Sequence, residues 1–431
     1  MMHAESRGYY FDIDLAEKAF DFFETVIYLE DADLGGEPMV LFDWEKFVVG
    51  AIYGWVREDG RRRFKAAYVE TGKGSGKSPL AAAIGLRSVC ADGESRAECY
   101  VCARHSEQAL VTFKDAATIT EFSPQLRKRL RVYGGENPWN IVHKSSHSFM
   151  KRISSKKTGD GKSGPRPHVT IVDEYHEHES DAMLNYYIAG QKNRRQPLAF
   201  IITNAGVGMS SACGVEHDLA IKIATGEITN DQYFSYVCAM DKDDKPYEDE
   251  SCWTKTNPSL PVIPGYEYLR EQVNSTRGKP SLRAVVDRLN FCRWTEALSP
   301  WLDPEVIEAC EVEVLSDFNT RRQVPLYCAL DLSSKKDFTA LTLCWDFDSH
   351  LETETLIWTP EETLEARAIA DVAPYLEWLD HGYIMTTPGA TVDLEFIAQT
   401  ISELDHNYNL IGIAYDPVSY THLTLPTTPY V

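Results

Sequence analysis

The apolar positions of this 431-residue chain fall into short solid runs separated by amphipathic stretches. Four of these runs, "RRRFKAAYVE" (61–70), "CYVCA" (99–103), "HVTIVDE" (168–174) and "LAFIITNAG" (198–206), are rich in β-branched and aromatic residues. Their length and lack of polar alternation predict strands covered on both faces. Between them "SPLAAAIGLRSV" (78–89) and "SEQALVTFKDAATI" (106–119) have helical composition. Strands alternating with helices predict an α/β fold on a parallel sheet. At 240–264 the texture turns dense in charge and proline, the mark of a domain edge or an exposed loop. A helical stretch (267–294) follows, and then "VPLYCALDLSSKKDFTALTLCWDF" (324–347), two adjacent alternating strands joined by a polar turn. That hairpin pattern is not seen in the first half, and no internal repeat is visible.

Composition narrows the class. With 43% hydrophobic and 25% charged residues the chain has the balance of a globular protein, and its length allows two or three domains. No run of eighteen apolar residues occurs, and "MMHAESRGYYFDIDLAEK" lacks a basic segment followed by an apolar one. Neither secretion nor a membrane partner is therefore expected. Ten scattered cysteines suit a reducing compartment. The one C-x-x-C, Cys99 to Cys102, lies in a strand-like run and reads as core; His176 and His178 are two apart, not the four of H-E-x-x-H.

The formal charge of −22 argues against a polycationic DNA binder, but it is unevenly spread. Residues 341–431 carry 15 acids and one basic residue, Arg367, whereas 121–167 carry 11 Lys or Arg against 3 acids. By itself that basic stretch reads as a solvated helix face followed by a flexible loop. Beside a nucleotide site it becomes a candidate grip on phosphate backbones, from Arg127 to Arg166.

The nucleotide site is signalled by "VETGKGSGKSPLAAA" (69–83), which follows G-x-x-x-x-G-K-[ST] except that Thr71 stands at the first glycine. Backbone N–H groups of Gly72, Gly74, Ser75 and Gly76 can surround phosphates, Lys77 can neutralise them, and Ser78 can help hold Mg²⁺. "HVTIVDE" ends a buried strand in Asp173 and Glu174, the first suited to the Mg²⁺ shell and the second to polarising the attacking water. Thr203 and Asn204, at the end of the next strand, face the same crevice, as γ-phosphate sensors or as a turn cap. ATP hydrolysis with Mg²⁺ is the expected chemistry.

From 41 to 417 the residues resemble the large terminase subunits of tailed bacteriophages, through "LFDWEKFVVGAIYGW", "SEQALVTFKDAA", "VDEYHEH", "TNAG", "NPSL", "RLNFCRW" and "ALDLSSKKDFTAL" in order. The resemblance implies a P-loop ATPase domain of the ASCE type at 1–250, a helical linker region at 251–320 and part of an RNase H-like nuclease domain at 321–417. It implies that Lys73 acts where the family has a basic residue reaching the γ-phosphate. Trp44 corresponds to an aromatic residue near adenine, but Glu45 follows it where the family has glutamine. Asp331 and Asp416 match nuclease ligands for divalent metals, Mg²⁺ or Mn²⁺, with Asp337 an accessory. A third carboxylate lies well downstream in family members, and 418–431, "VSYTHLTLPTTPYV" from Val418, reads as a non-native tail. A nuclease-deficient chain is the expectation. The implied partners are double-stranded DNA, a portal protein and a small terminase subunit, with a homo-oligomeric ring in the host cytoplasm. A helicase-like DNA-remodelling ATPase and a nucleotide-dependent docking protein remain open alternatives.

Overall fold

The computed structural model describes residues 4–30, 36–154, 164–295, 309–311, 315–333, 337–371 and 375–415, in two compact units, Met1–Pro304 and Glu305–Val431. In the first unit, two ribbons come early: β1 (Tyr9–Phe11) pairs with β4 (Trp55–Arg57), and β2 (Tyr28–Glu30) with β3 (Gly36–Pro38). Eight further strands form one sheet: β5 (Ala66–Glu70), β6 (Glu98–Ala103), β7 (Leu130–Tyr133), β8 (Asn140–His143), β9 (Phe149–Ser154), β10 (Val169–Val172), β11 (Leu198–Thr203) and β12 (Tyr233–Val237). Their spatial order is β12-β5-β11-β10-β6-β9-β8-β7, parallel from β12 to β9 and antiparallel beyond. The insertion of β11 between β5 and β10 is the ASCE arrangement.

Period-two alternation along these strands feeds two cores. Ala67, Val69, Val169, Ile171, Leu198, Phe200 and Ile202 face one side, where α1 (Ile13–Val26), α2 (Asp43–Gly54), α3 (Lys77–Cys90) and α4 (Ser106–Phe122) contribute the packing partners. Tyr68, Val172, Ala199 and Ile201 face the other, with α6 (Ala182–Gly190) supplying Leu184 and α7 (Ala212–Thr225) supplying Cys213 and Ala220. The solid apolar runs are solid because both faces are buried. Cys99 and Cys102 are two such core positions on β6, as their run predicted.

Two expectations need correction. The basic stretch after α4 continues as a short helix, α5 (Pro124–Arg129), and then as the antiparallel strands β7 and β8, so the first half does contain a hairpin. Its strands are four residues long and carry Arg131 and His143, which hid the alternation. The segment 240–264 is no domain edge: 241–249 is a largely exposed loop, as one of the two readings had it, but Trp253, Thr256, Asn257 and Ser259 are buried, and α8 (Tyr266–Ser275) and α9 (Pro280–Phe291) follow within the first unit. The two units divide at 304, inside the region expected as a linker.

The second unit is built on β13 (Pro325–Asp331), β14 (Thr339–Asp346), β15 (Leu351–Pro360), β16 (Met385–Thr387) and β17 (Asn409–Tyr415), ordered β16-β15-β14-β13-β17. The three central strands are antiparallel, while β16 and β17 run parallel to β15 and β13. Helix Leu394–Asn407, capped by Asp393, sets Ile397 and Ile401 against Leu341, Trp345 and Trp358. This mixed sheet is of the RNase H-like kind.

One buried charge cluster braces the strands that carry the site. Asp92, just past α3, accepts from Arg62 Nη2 at 2.7 Å ahead of β5 and lies 3.0 Å from His168 Nε2 ahead of β10; Arg87 reaches it from α3. Burial opposes the charge on Asp92, but the guanidiniums of Arg62 and Arg87 outweigh it and hold the carboxyl well below the usual carboxylate range. Removing the acid strands two arginines without it. Asp92→Ala is expected to destabilise the first unit by about 3–5 kcal/mol in urea denaturation, whereas a surface acid such as Glu248 changes by less than about 0.5.

Candidate active site at the phosphate loop

The loop begins where β5 ends. Its left-handed turns fall at Gly74 (φ 87°) and Gly76 (φ 99°), so position 71 needs no glycine. Thr71 is fully buried, and its carbonyl and hydroxyl, with the Gly72 carbonyl, receive Lys77 Nζ at 2.7, 3.2 and 3.1 Å. The ammonium is thus turned back on its own loop. Among the described residues nothing accepts from the backbone N–H of Gly74, Ser75 or Gly76, and these donors crown the N-terminus of α3. An open cradle of donors above a buried cation fits a polyphosphate.

Across the crevice stand the acids. Asp173, at the end of β10, accepts from the Thr112 hydroxyl on α4, and burial together with the charge of Glu174 pushes its carboxyl up to about 7. Burial depresses the Lys77 ammonium, and Glu174 and Asp173 work against that depression. A dicationic ion beside Asp173 and the Ser78 hydroxyl would relieve the same stress, so the donor set fits a hard metal. Glu174 adopts a left-handed conformation (φ 48°, ψ 54°), uncommon for glutamate, and its buried Oε2 has no hydrogen-bond partner among the described residues. Thr203 ends β11 between the two motifs; Asn204 donates to the Thr71 carbonyl at 2.9 Å and to Leu289 O at 3.1 Å, and its Oδ1 has no hydrogen-bond partner among the described residues. Lys73 lies exposed on the loop's rim.

Several supporting residues were not read from the sequence. Carbonyls of Thr256 and Leu289 accept from the N–H groups of Gly72 (2.7 Å) and Lys73 (2.6 Å), and Ser259 donates to Ser75 O at 2.7 Å. A Cβ at Gly72 would come within 2.4 Å of Asn257 Oδ1. "NPSL" and "RLNFCRW" were visible as motifs, but their contact with the loop was not. Trp44 is 4% exposed, stacks on Tyr236 and donates to Ser259 Oγ at 2.7 Å, so it supports the loop from behind. His176, first read only against metal binding, meets Thr203 through both its backbone N–H and its ring.

In the second unit Asp331 is exposed at the end of β13, and Asp337 is exposed beyond it. Asp416 and the segment 418–431 lie outside the described residues, and among the described residues no group of three potential ligands forms a metal site.

A phosphate loop, an acidic pair and a polar strand end on one sheet define a P-loop nucleotide hydrolase, here joined to an RNase H-like sheet. The family model "Terminase large subunit, ATPase domain" matches residues 43–222, and "Terminase large subunit, endonuclease domain" matches 227–424. The large terminase subunit of Enterobacteria phage HK97 is 26% identical over 405 residues, 93% of this chain and 76% of that one. Protein YmfN of Escherichia coli (strain K12) is 28% identical over 295 residues, 66% of this chain and 63% of that one. The crystal structure of the HK97 large terminase aligns with a TM-score of 0.55 at 23% identity, covering 93% of this chain and 80% of the other. The chain belongs to the terminase large subunits, enzymes with an ATPase and an endonuclease domain that serve DNA packaging and the cutting of concatemers. The endonuclease match begins before β12, yet β12 to α9 pack in the first unit. No helix among the described residues is long and apolar enough to cross a membrane.

Glu45 makes the stability of this site pH-sensitive. It is buried beside Gly76, accepts from Phe42 N at 3.0 Å, and burial pushes it up to about 7. A carboxyl raised above its unfolded value stabilises fully below about pH 4.5, and that contribution is lost as pH rises through 7. Glu45→Gln is therefore expected to match the parent near pH 4.5 and to exceed it by about 1–3 kcal/mol at pH 8, read from urea midpoints at the two pH values.

Proposed function

We propose that the hydrolysed nucleotide is ATP with Mg²⁺ and that the phosphate loop drives translocation of double-stranded DNA into proheads. The observation that carries this reading is the buried Lys77 ammonium held by loop carbonyls beneath three N–H groups that have no acceptor among the described residues, with Asp173 and Glu174 opposite. Gly72, Gly74, Ser75 and Gly76 shape the cradle, and Lys77 exchanges its carbonyls for β- and γ-phosphate oxygens. Ser78 and Asp173 hold the ion, which supplies Lewis-acid stabilisation of phosphoryl oxygens when bound. Glu174, partly exposed at the crevice, orients and polarises water. Lys73 approaches the γ-phosphate from the rim as a point charge, without the fork of an arginine. Trp44 acts through the loop, and Thr203 and Asn204 carry the nucleotide state along β11.

DNA is gripped in part by the edge around β7 and β8, where Arg127, Lys128, Arg129, Arg131 and Lys144 are exposed beside Tyr133 and Trp139. Cation–π pairing of Arg131 with Tyr133 (5.0 Å) holds one guanidinium on that edge. Asp331 and Asp416 belong to the nuclease and take Mg²⁺ or Mn²⁺. The partners are a portal protein and a small terminase subunit, with a homo-oligomeric ring on the portal in the host cytoplasm.

Lys77→Ala is expected to abolish ATP hydrolysis, and Glu174→Gln to retain nucleotide binding while losing about 10²–10⁴ in turnover. Steady-state ATPase assays with parallel binding titrations read both. Undiminished hydrolysis by Lys77→Ala would refute the assignment, and turnover unaffected by DNA and proheads would favour a docking protein over a motor.

A further inference from the structure

His176 occupies the gap between the two halves of this machinery. The left-handed step at Glu174 starts the turn Tyr175–Glu177, which aims His176 at the end of β11. Its backbone N–H donates to Thr203 Oγ1 at 3.0 Å, and its Nδ1 lies 3.1 Å from the same oxygen. The Thr203 hydroxyl spends its own proton on Asn204 O at 2.8 Å, so it accepts from both His176 nitrogens, and Nδ1 carries the imidazole proton. That same Nδ1 is 3.3 Å from Glu174 Oε2, the carboxylate oxygen with no hydrogen-bond partner among the described residues. One N–H therefore stands between two acceptors. The ring has little freedom to leave, because the His176 side chain is only 10% exposed.

Resting on the assignment of Glu174 as the group that polarises water, we propose that His176 is a positioning residue through which Thr203 on β11 sets the availability of the Glu174 carboxylate. With Nδ1–H between Thr203 Oγ1 and Oε2, the imidazole holds that buried oxygen in place and leaves the rest of the partly exposed carboxylate to water. A small displacement of the β11 end carries the imidazole with Thr203, takes the N–H away from Oε2 and lets the carboxylate turn off line, which suspends hydrolysis. Strand position and base availability are thereby linked through a single proton donor, and no contact between His176 and nucleotide is needed.

The test is steady-state ATPase kinetics on the full chain, with the affinity for a non-hydrolysable ATP analogue measured alongside. His176→Ala is expected to lower kcat by about 10–100-fold with KM and analogue affinity within threefold. His176→Asn, whose amide nitrogen approximates Nδ1, restores kcat to within about fivefold of the parent, whereas His176→Gln, whose amide lies nearer Nε2, does not. Thr203→Val lowers kcat similarly, and the Ala/Val double variant is no slower than the worse single one. Parental kcat in His176→Ala, equal kcat in the Asn and Gln variants, or multiplicative losses in the double variant would each overturn the proposal. If His176→Ala fails to fold, the Asn and Gln comparison decides alone. Glu174→Gln separates the premise: its full activity sinks the Glu174 assignment, while its inactivity beside a normal His176→Ala sinks only the role of His176.

Discussion

A single buried cation organises the first unit. Lys77 is 8% exposed, and an ammonium out of water must be compensated by close carbonyls and nearby negative charge. The carbonyls come from its own loop, which explains why Thr71 and Gly72 turn their oxygens inward. The negative charge comes from Glu70, Asp173 and Glu174, at the C-terminal ends of β5 and β10. Parallel strands put those ends on one edge, and α3 adds its N-terminal donors to the same edge. Sheet order, strand direction and loop conformation are thus three answers to one desolvation problem.

The covering segment follows from the same constraint. A loop whose carbonyls face a lysine leaves the N–H groups at its start pointing outward, and Thr256 O and Leu289 O accept from them. Asn204 spans both sides, donating to Thr71 O on the loop and to Leu289 O on the cover. Any nucleotide-dependent shift of the loop must then be felt between 253 and 294, the stretch from which the chain proceeds to the second unit. Polar residues here are buried because the loop's backbone needs them, at sites where water would otherwise serve.

That explains what the sequence displayed and what it concealed. The parallel sheet was legible because runs such as "LAFIIT" are buried on both faces, and the phosphate loop and acidic pair were legible because their chemistry forces particular residues at fixed spacing. The mixed sheet announced itself through strict alternation in "TALTLCWD". Residues 240–264 were misread as an edge because charge and proline are marks of exposure only when local backbone, not tertiary hydrogen bonding, selects them; Asn257 is fully buried. The β7–β8 hairpin was missed because edge strands of four residues carry no more periodicity than a loop. The contact of His176 with Thr203 was invisible for a third reason: it depends on the register between β10 and β11, and no spacing within "DEYHEH" encodes it.

The strand ends also differ in what they are fastened to, and this difference gives the site a direction. Glu70 is fully enclosed, receiving Tyr68 OH at 2.7 Å and Trp294 Nε1 at 3.3 Å, with His217 Nδ1 at 2.7 Å. Asp173 is fastened to α4 through Thr112, and Thr203 to the turn after β10 through His176. Glu70 is therefore the fixed reference: with its oxygens saturated by three large side chains, little is gained by moving it. At the ends of β10 and β11, Glu174 Oε2 and Asn204 Oδ1 are buried with no hydrogen-bond partner among the described residues and have much to gain from rearrangement, because any donor brought to them removes a desolvation penalty. Binding energy delivered at the cradle is then most readily spent at those two positions, one at the end of β11 and one just beyond β10, while β5, which Glu70 ends, stays where it is.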